Sequence, residues 1–535
     1  MKNKHKLLLG SMFSLLALGL AACTSGKAST KSLKFSEPTT LMTLDQSKLV
    51  DQVSDVTLNN TNEGLLVMTK NGKVVPGVAK SYSVSKDGKT YTFKLRHSKW
   101  SDGSEVTAAD FVNGFQRTEN PKTAAAYQYL LEDVKNADDV AKGKKPVSAL
   151  GVSAEGKYEF KVQLDKPESY FKYVVTMAPT YPQSAKEEKK YGSGYATSSD
   201  KQLYNGPYKV TGWTGTNDTW KLVKNNEYWN KDNVKVRQLD FSVSKDPSTT
   251  MYQFEQGNLD SMVLSGKNQV NNYKNSKQYH ARKEAGTYYL EMNQTKNKLL
   301  KNVNVRKALS LAVDRNQLTK SVLGNGSVPA KGFVASDMSS YKGKDFADQA
   351  EVREAVSYNL TEAKKLFAKG LKQLGMKSAS LSLLADDSSD SKTVTEYLQN
   401  QFQKLPGLKV SLENLPSKVA TDRTEKGQFD VTLDAWIADF PDPVSFMSLE
   451  MTGNGYNHGG WSNKQYDILM NKANGQDANN FGKRWDDMVA AHKVLLNQQG
   501  VVPLYQLVSP QLLSKNVKGL SYYPSGGNFD FRTLE

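Results

Sequence analysis

Asp87-Gly88-Lys89-Thr90-Tyr91-Thr92-Phe93-Lys94-Leu95-Arg96, running on into Trp100-Ser101-Asp102-Gly103-Ser104 and Val106-Thr107-Ala108-Ala109-Asp110-Phe111, carries strand, turn and helix signals in one short stretch. Tyr91, Phe93 and Leu95 alternate with polar residues, the period-two pattern of a half-buried strand. Asp87-Gly88 is a tight-turn pair, so Tyr82 and Val84 are expected to pair back across it as a hairpin. Thr107 with Asp110 resembles a capping box and opens a helix carrying Phe111 and Phe115. Working outward, Tyr158, Phe160, Val162 and Leu164 alternate as a second strand, and Leu33-Lys34-Phe35 begins the first. Val305, Ala308, Leu309, Ala312 and Val313 follow helical spacing, and another helix is expected from about Thr361 to Leu374. Strands and helices interleave without a fixed repeat or a low-complexity block, which makes the chain α/β.

The chain has 535 residues, enough for a large core divided over more than one unit. It holds a single Cys, Cys23. That excludes intrachain disulfides, thiolate zinc centres and Fe–S clusters. The histidines are His5, His97, His280, His458 and His492, none at metal-ligand spacing from another, so no metal and no cofactor are expected. No Walker loop, dinucleotide fingerprint or Gly-x-Ser-x-Gly elbow is present, and the adjacent carboxylates Asp386 and Asp387 sit in a Ser/Asp-rich stretch that reads as a loop. Nothing recommends an enzyme.

Lys2, Lys4 and Lys6 precede an apolar run from Leu7 to Leu20, too short to cross a bilayer and suited to a secretory leader. The run ends in Leu20-Ala21-Ala22-Cys23, which looks like a bacterial lipobox, with residues 1–22 removed and Cys23 lipidated. Residues 23–32 are small and polar, a tether between lipid and fold. This places the protein on the outer face of the cell membrane of what reads as a Gram-positive bacterium. The formal net charge is +16, three units of it from the leader lysines. The remaining Lys are scattered, as in Lys86-Asp87-Gly88-Lys89, without an Arg-rich stripe. A solvated surface near an anionic envelope is therefore expected, and no nucleic acid.

Further segments join the opening stretch in order: Asn62-Glu63-Gly64-Leu65-Leu66, Val75-Pro76-Gly77-Val78-Ala79, Asn205-Gly206-Pro207-Tyr208, Glu227-Tyr228-Trp229, Val305-Arg306-Lys307-Ala308-Leu309, and Phe429-Asp430 before Trp436-Ile437-Ala438-Asp439-Phe440. Each is weak alone. The ordered set, behind a lipobox, resembles the peptide-binding receptors of bacterial ABC importers, solute-binding protein family 5.

The resemblance implies a two-lobed periplasmic-binding-protein-like (type II) flytrap with an extra inserted domain. Mapped here, the first lobe takes 33–62, 183–288 and 505–535, the insertion 63–182, and the second lobe 289–504. It also implies oligopeptides as ligands, with the membrane permease and ATPase subunits of an importer as partners. A receptor for many peptides can rely only on main chain and charged ends. The resemblance makes Asp439 the partner of the peptide's amino terminus and Ala435, Trp436, Ile437 and Ala438 the strand beside its backbone, with Tyr127 facing the ligand. Without the resemblance, Asp439 is a helix cap before Asp-Phe-Pro-Asp-Pro and Tyr127 a core residue. Two departures leave peptide length and preference open. Some members carry a Trp where this chain reads Leu415-Pro416-Ser417, and some a Glu where Val50 stands beside Asp51. A signalling-peptide receptor of the same fold and a surface adhesion lipoprotein are the alternatives.

Overall fold

The computed structural model describes residues 32–69, 72–527 and 529–535. The leader, Cys23 and all of the tether except Ser32 lie outside the described residues. Among the described residues no helix is long and apolar enough to cross a membrane.

The chain opens with β1 (Leu33–Glu37) and α1 (Gln52–Thr61). A separate four-stranded antiparallel sheet follows, built from β2 (Ala79–Val84), β3 (Thr90–Leu95), β4 (Val152–Ala154) and β5 (Glu159–Gln163). The hairpin forms as the alternation requires: Tyr82 pairs with Phe93 and Val84 with Tyr91. Gly88 sits at φ +73° in the turn, where a Cβ would be strained. A helix, Ala108–Glu119, covers this sheet. The Asp110 carboxylate accepts from the Thr107 backbone N–H and hydroxyl, each at 2.8 Å. Its Phe111 and Phe115 pack against Phe160 with tilted rings, centroids 5.7 and 5.3 Å apart, in an aromatic core.

The large sheet then resumes with β6 (Tyr208–Thr211), β7 (Thr219–Lys224), β8 (Gln238–Val243), β9 (Ser261–Val263) and the long β10 (Tyr279–Met292). The second half supplies helices Val303–Ala312 and Leu360–Gln373, then β11 (Ala379–Asp386), β12 (Leu408–Leu415), β13 (Val431–Ile437) and β14 (Val501–Leu513). The first helix begins two residues before Val305, and Val313 forms its C-cap rather than its last turn. The two helices pack closely because Gly370 leaves room: a Cβ there would lie 2.6 Å from Val305.

The sheet has eleven strands, ten in the order β6-β7-β8-β1-β9-β14-β10-β13-β11-β12, with Val328–Pro329 added on β14. Two-lobed structure follows from the different cores at its two ends. One packs Phe35, Trp220, Phe241 and Phe531. The other packs Leu290, Val305, Leu309, Phe367, Leu383 and Leu398. β10 and β14 pair antiparallel from the second of these cores, where Leu290 and Val502 lie, to a smaller cluster of Met262, Leu264 and Leu512 beside β9. Their register jumps midway: Lys283 faces Val508 and Thr287 faces Gln506, so Glu284–Gly286 oppose Leu507 alone. This bulge bends the ladder. Gln506 Nε2 steadies it by donating to the carbonyls of Glu284 and Ser336, both at 2.9 Å.

Candidate functional site: an open strand edge ending at a carboxylate

β13 pairs along its length with β10 but with β11 only at Val431 and Thr432. From Leu433 on, its second edge has no sheet partner among the described residues. Ala438 N–H donates to Ala285 O at 2.8 Å, so hydrogen-bonding groups at 438, 436 and 434 face β10. By the alternation of an antiparallel ladder, the N–H and C=O of Ala435 and Ile437 face the open side. The Asp434 carboxylate covers the Ala435 N–H at 2.7 Å.

The strand runs directly into Asp439. Its carboxylate accepts one side-chain hydrogen bond, from the Tyr129 hydroxyl at 2.9 Å, and its N–H donates to Ser445 Oγ at 3.1 Å. Among the described residues no Lys, Arg or His pairs with it. Burial raises its pKa to about 6, against the lowering effect of Tyr129. Across the cleft, burial raises Asp55 on α1 to about 7, with the charge of Asp439 adding to the effect. The two sides nearly touch: a Cβ on Gly526 would lie 3.2 Å from the Asp439 carbonyl. Beside Asp439 a cavity of about 440 Å³ extends past Tyr129, Trp436 and Tyr456. A second, of about 300 Å³, lies further back along β13.

Trp436 and Ile437 differ in setting. Trp436 is half-buried, meets Tyr456 edge-on at 5.3 Å and lines both cavities, whereas the Ile437 side chain is exposed. Asp439 caps no helix; the short helix Val444–Met447 begins after Pro443. Tyr127 packs 5.8 Å from Tyr129 and beside the small cluster of Leu49, Leu58, Ala178 and Tyr181, one step back from Asp439. Tyr129, Ser445 and Tyr456 were not singled out by sequence reasoning, and only the nearness of Tyr129 to Tyr127 hinted at any of them. Asp386 is not in a loop: it ends β11 and accepts from Ser388 N and Ser391 Oγ at 2.8 and 2.7 Å. Asp51 accepts from Ser54 N at 2.9 Å and caps α1, and Val50 is exposed.

The chain resembles known proteins over nearly its full length. It is 37% identical over 549 aligned residues to the dipeptide-binding protein of Lactococcus lactis subsp. cremoris, covering 100% of this chain and 99% of that one. It shares 34% identity and a TM-score of 0.78 with Listeria monocytogenes OppA bound to peptide, covering 94% of this chain and 98% of that one. The pheromone receptor PrgZ matches over the same shares at 36% identity and a TM-score of 0.78. Residues 73–458 match the model of the bacterial extracellular solute-binding proteins, family 5, and with the closed cleft and open strand edge already in view, the chain belongs to that family.

Proposed function

We propose that the protein captures oligopeptides outside the membrane and delivers them to an ABC-type importer. The observation that carries this reading is the open edge of β13 leading to an unpaired carboxylate. An extended peptide adds to the Ala435 and Ile437 edge as a strand, so main-chain hydrogen bonds hold it whatever its sequence. Its ammonium meets Asp439, the anion a buried positive charge requires. Trp436 walls the side-chain space, and Tyr127 supports Tyr129 from behind. The relatives named above, a dipeptide-binding protein and an OppA bound to peptide, support the same ligand class. A signalling peptide as cargo has one specific support, the likeness to the pheromone receptor PrgZ.

The lobes divide in this reading at a second register shift of the same ladder, between Tyr288 and Tyr289: 33–62, 183–288 and 505–535 form the first, 289–504 the second, and 63–182 the insertion. Lipidated Cys23 and the flexible 23–32 tether hold the receptor on the outer face of the cell membrane, beside the permease and ATPase subunits it serves. Native mass spectrometry of the purified mature protein is expected to show bound peptide masses. An empty protein that also binds no member of a mixed tetrapeptide library would overturn the reading. For the anchor, Cys23→Ala is expected to leave uncleaved precursor or shed the protein from the membrane fraction. Processing and retention like wild type would remove Cys23 from that role.

A further inference from the structure

The second cavity contradicts the charge of the chain around it. Lys and Arg outnumber Asp and Glu by 71 to 55 overall, yet Asp386, Glu425 and Asp434 line this cavity and no described Lys or Arg does. Its one basic group, His458, is already engaged: Nδ1 lies 3.3 Å from Glu291, whose other oxygen accepts the Gly459 N–H. Ligand atoms of Glu291, Asp434 and His458 lie within 4.8 Å of one another. Glu450 adds a fourth group. It is 2% exposed, its carboxylate accepts no hydrogen bond among the described residues, and its charge opposes those of Glu291 and Asp434. A buried carboxylate without donor or cation is costly. Burial and this like-charge crowding raise Glu450 well above the usual range, and burial raises Asp434 to about 6.

Position says what the cavity is open to. Asp434 and Trp436 are two residues apart on β13 and share a face. Asp434 covers the Ala435 N–H, so its carboxylate stands on the open edge itself. A strand laid along that edge from Asp439 carries alternate side chains toward this face. We infer that the cavity is a subsite for a cationic peptide side chain, a lysine ammonium or arginine guanidinium, with Asp434 as its first contact and Glu291, His458 and Glu450 behind it. This rests on the peptide reading above and adds a preference to it.

The test is calorimetry on the mature protein with pentaalanine carrying one Lys, norleucine or Glu at each of positions two to five. Lys is expected to bind about tenfold tighter than norleucine at one position, with Glu weaker there and the neighbouring positions indifferent. Asp434→Asn, which keeps an acceptor for the Ala435 N–H, is expected to shrink that Lys-to-norleucine ratio at least about fivefold. The norleucine peptide reports whether the variant still folds and binds. Equal Lys and norleucine affinities at every position, with pentaalanine bound, overturn the subsite alone. Failure of every peptide, pentaalanine included, overturns the peptide reading with it. Zinc chloride binding without peptide, lost in Asp434→Asn and accompanied by no lysine preference, would assign the cluster to a metal ion instead and overturn the inference.

Discussion

Asp439 and Asp442 lie three residues apart on one turn, and only Asp442 has a cation. Both oxygens of Asp442 accept from the Arg484 guanidinium at 2.8 Å, a fork closed from solvent on every side. Among the described residues the one side chain that donates to the Asp439 carboxylate is Tyr129. Glu63 repeats the satisfied case. Buried Glu63 takes Tyr228 and Trp229 at 2.5 and 2.6 Å, with Arg532 at 3.4 Å. To Asp442 and Glu63 the chain brings donors from distant segments, whereas Glu119, equally buried, has a carboxylate oxygen with no partner among the described residues. Asp439, beside the cavity, has no cation among the described residues, and in the reading proposed above the ligand supplies it. A buried acid is therefore informative only together with its list of partners.

Breaking the satisfied pair should have the largest effect. Arg484→Met leaves Asp442 buried without a cation, with only the Val444 N–H donating to it at 3.0 Å among the described residues, and is expected to cost about 3–5 kcal/mol of folding stability in urea titration. A loss under about 1 kcal/mol would show that water reaches the turn and that the contrast with Asp439 is overstated.

Breaking the unsatisfied site should spare the fold and strike the ligand. Asp439→Asn is expected to cost about 2–5 kcal/mol of peptide affinity, roughly 30-fold to several thousand-fold. N-acetylating the peptide should cost a similar amount in wild type and little more in the variant, since both remove one interaction. Equal acetylation penalties in the two proteins would mean that the ammonium binds elsewhere.

pH sharpens the same contrast. With a pKa of about 6, free Asp439 takes a proton as pH falls from 7 to 5, and its neighbour Asp55, near 7, does so earlier. Peptide affinity is expected to drop about tenfold over that range, because the ammonium needs the ionised form. Stability of the empty protein moves the other way. The folded pKa values lie above those of free carboxylates, so protonation favours the fold, and stability falls as pH rises from about 4 toward 6 and 7. Thermal melts with and without peptide across pH 4–8 check both signs, and parallel curves would contradict them.

The smallest effects separate the two tyrosines. Tyr129→Phe removes the only side-chain donor to Asp439 among the described residues and is expected to weaken peptide binding by about 1 kcal/mol, roughly fivefold. Tyr127→Phe keeps the packing and should stay within about twofold. The reverse order would return Tyr127 to the ligand's side.

Local patterns were readable wherever they served local structure. The hairpin at Asp87-Gly88 and the cap at Thr107 depend on a few adjacent residues, and both form. Most residues in the family-like segments turn out to hold the scaffold. Arg306 donates to the carbonyls of Leu300, Lys301, Gln498 and Gln499, and Gly206 lies where a Cβ would meet the Thr61 carbonyl carbon at 2.6 Å. Asp439 could be singled out by resemblance, but its isolation from cations could not, since that depends on where Arg484 and Arg532 point. Tyr129 lies 310 residues away in the chain from the carboxylate it serves. The Glu291, Asp434, Glu450 and His458 cluster draws on separate segments, so ligand spacing along the chain had nothing to register.

The pairing of β10 with β14 on both sides of the bulge also bears on the mechanics of the cleft. Two paired strands have no slack, so opening cannot be a loop swinging free. It has to twist and shear a hydrogen-bonded ribbon, with the bulge at Glu284–Gly286 as its most compliant point. Such a ribbon behaves as a torsion spring, loaded when the lobes turn away from their rest angle and returning them when the load is gone. It also guards against a common accident of two-lobed chains: exchanging a lobe with a second copy would mean unzipping the ladder rather than unfolding a linker.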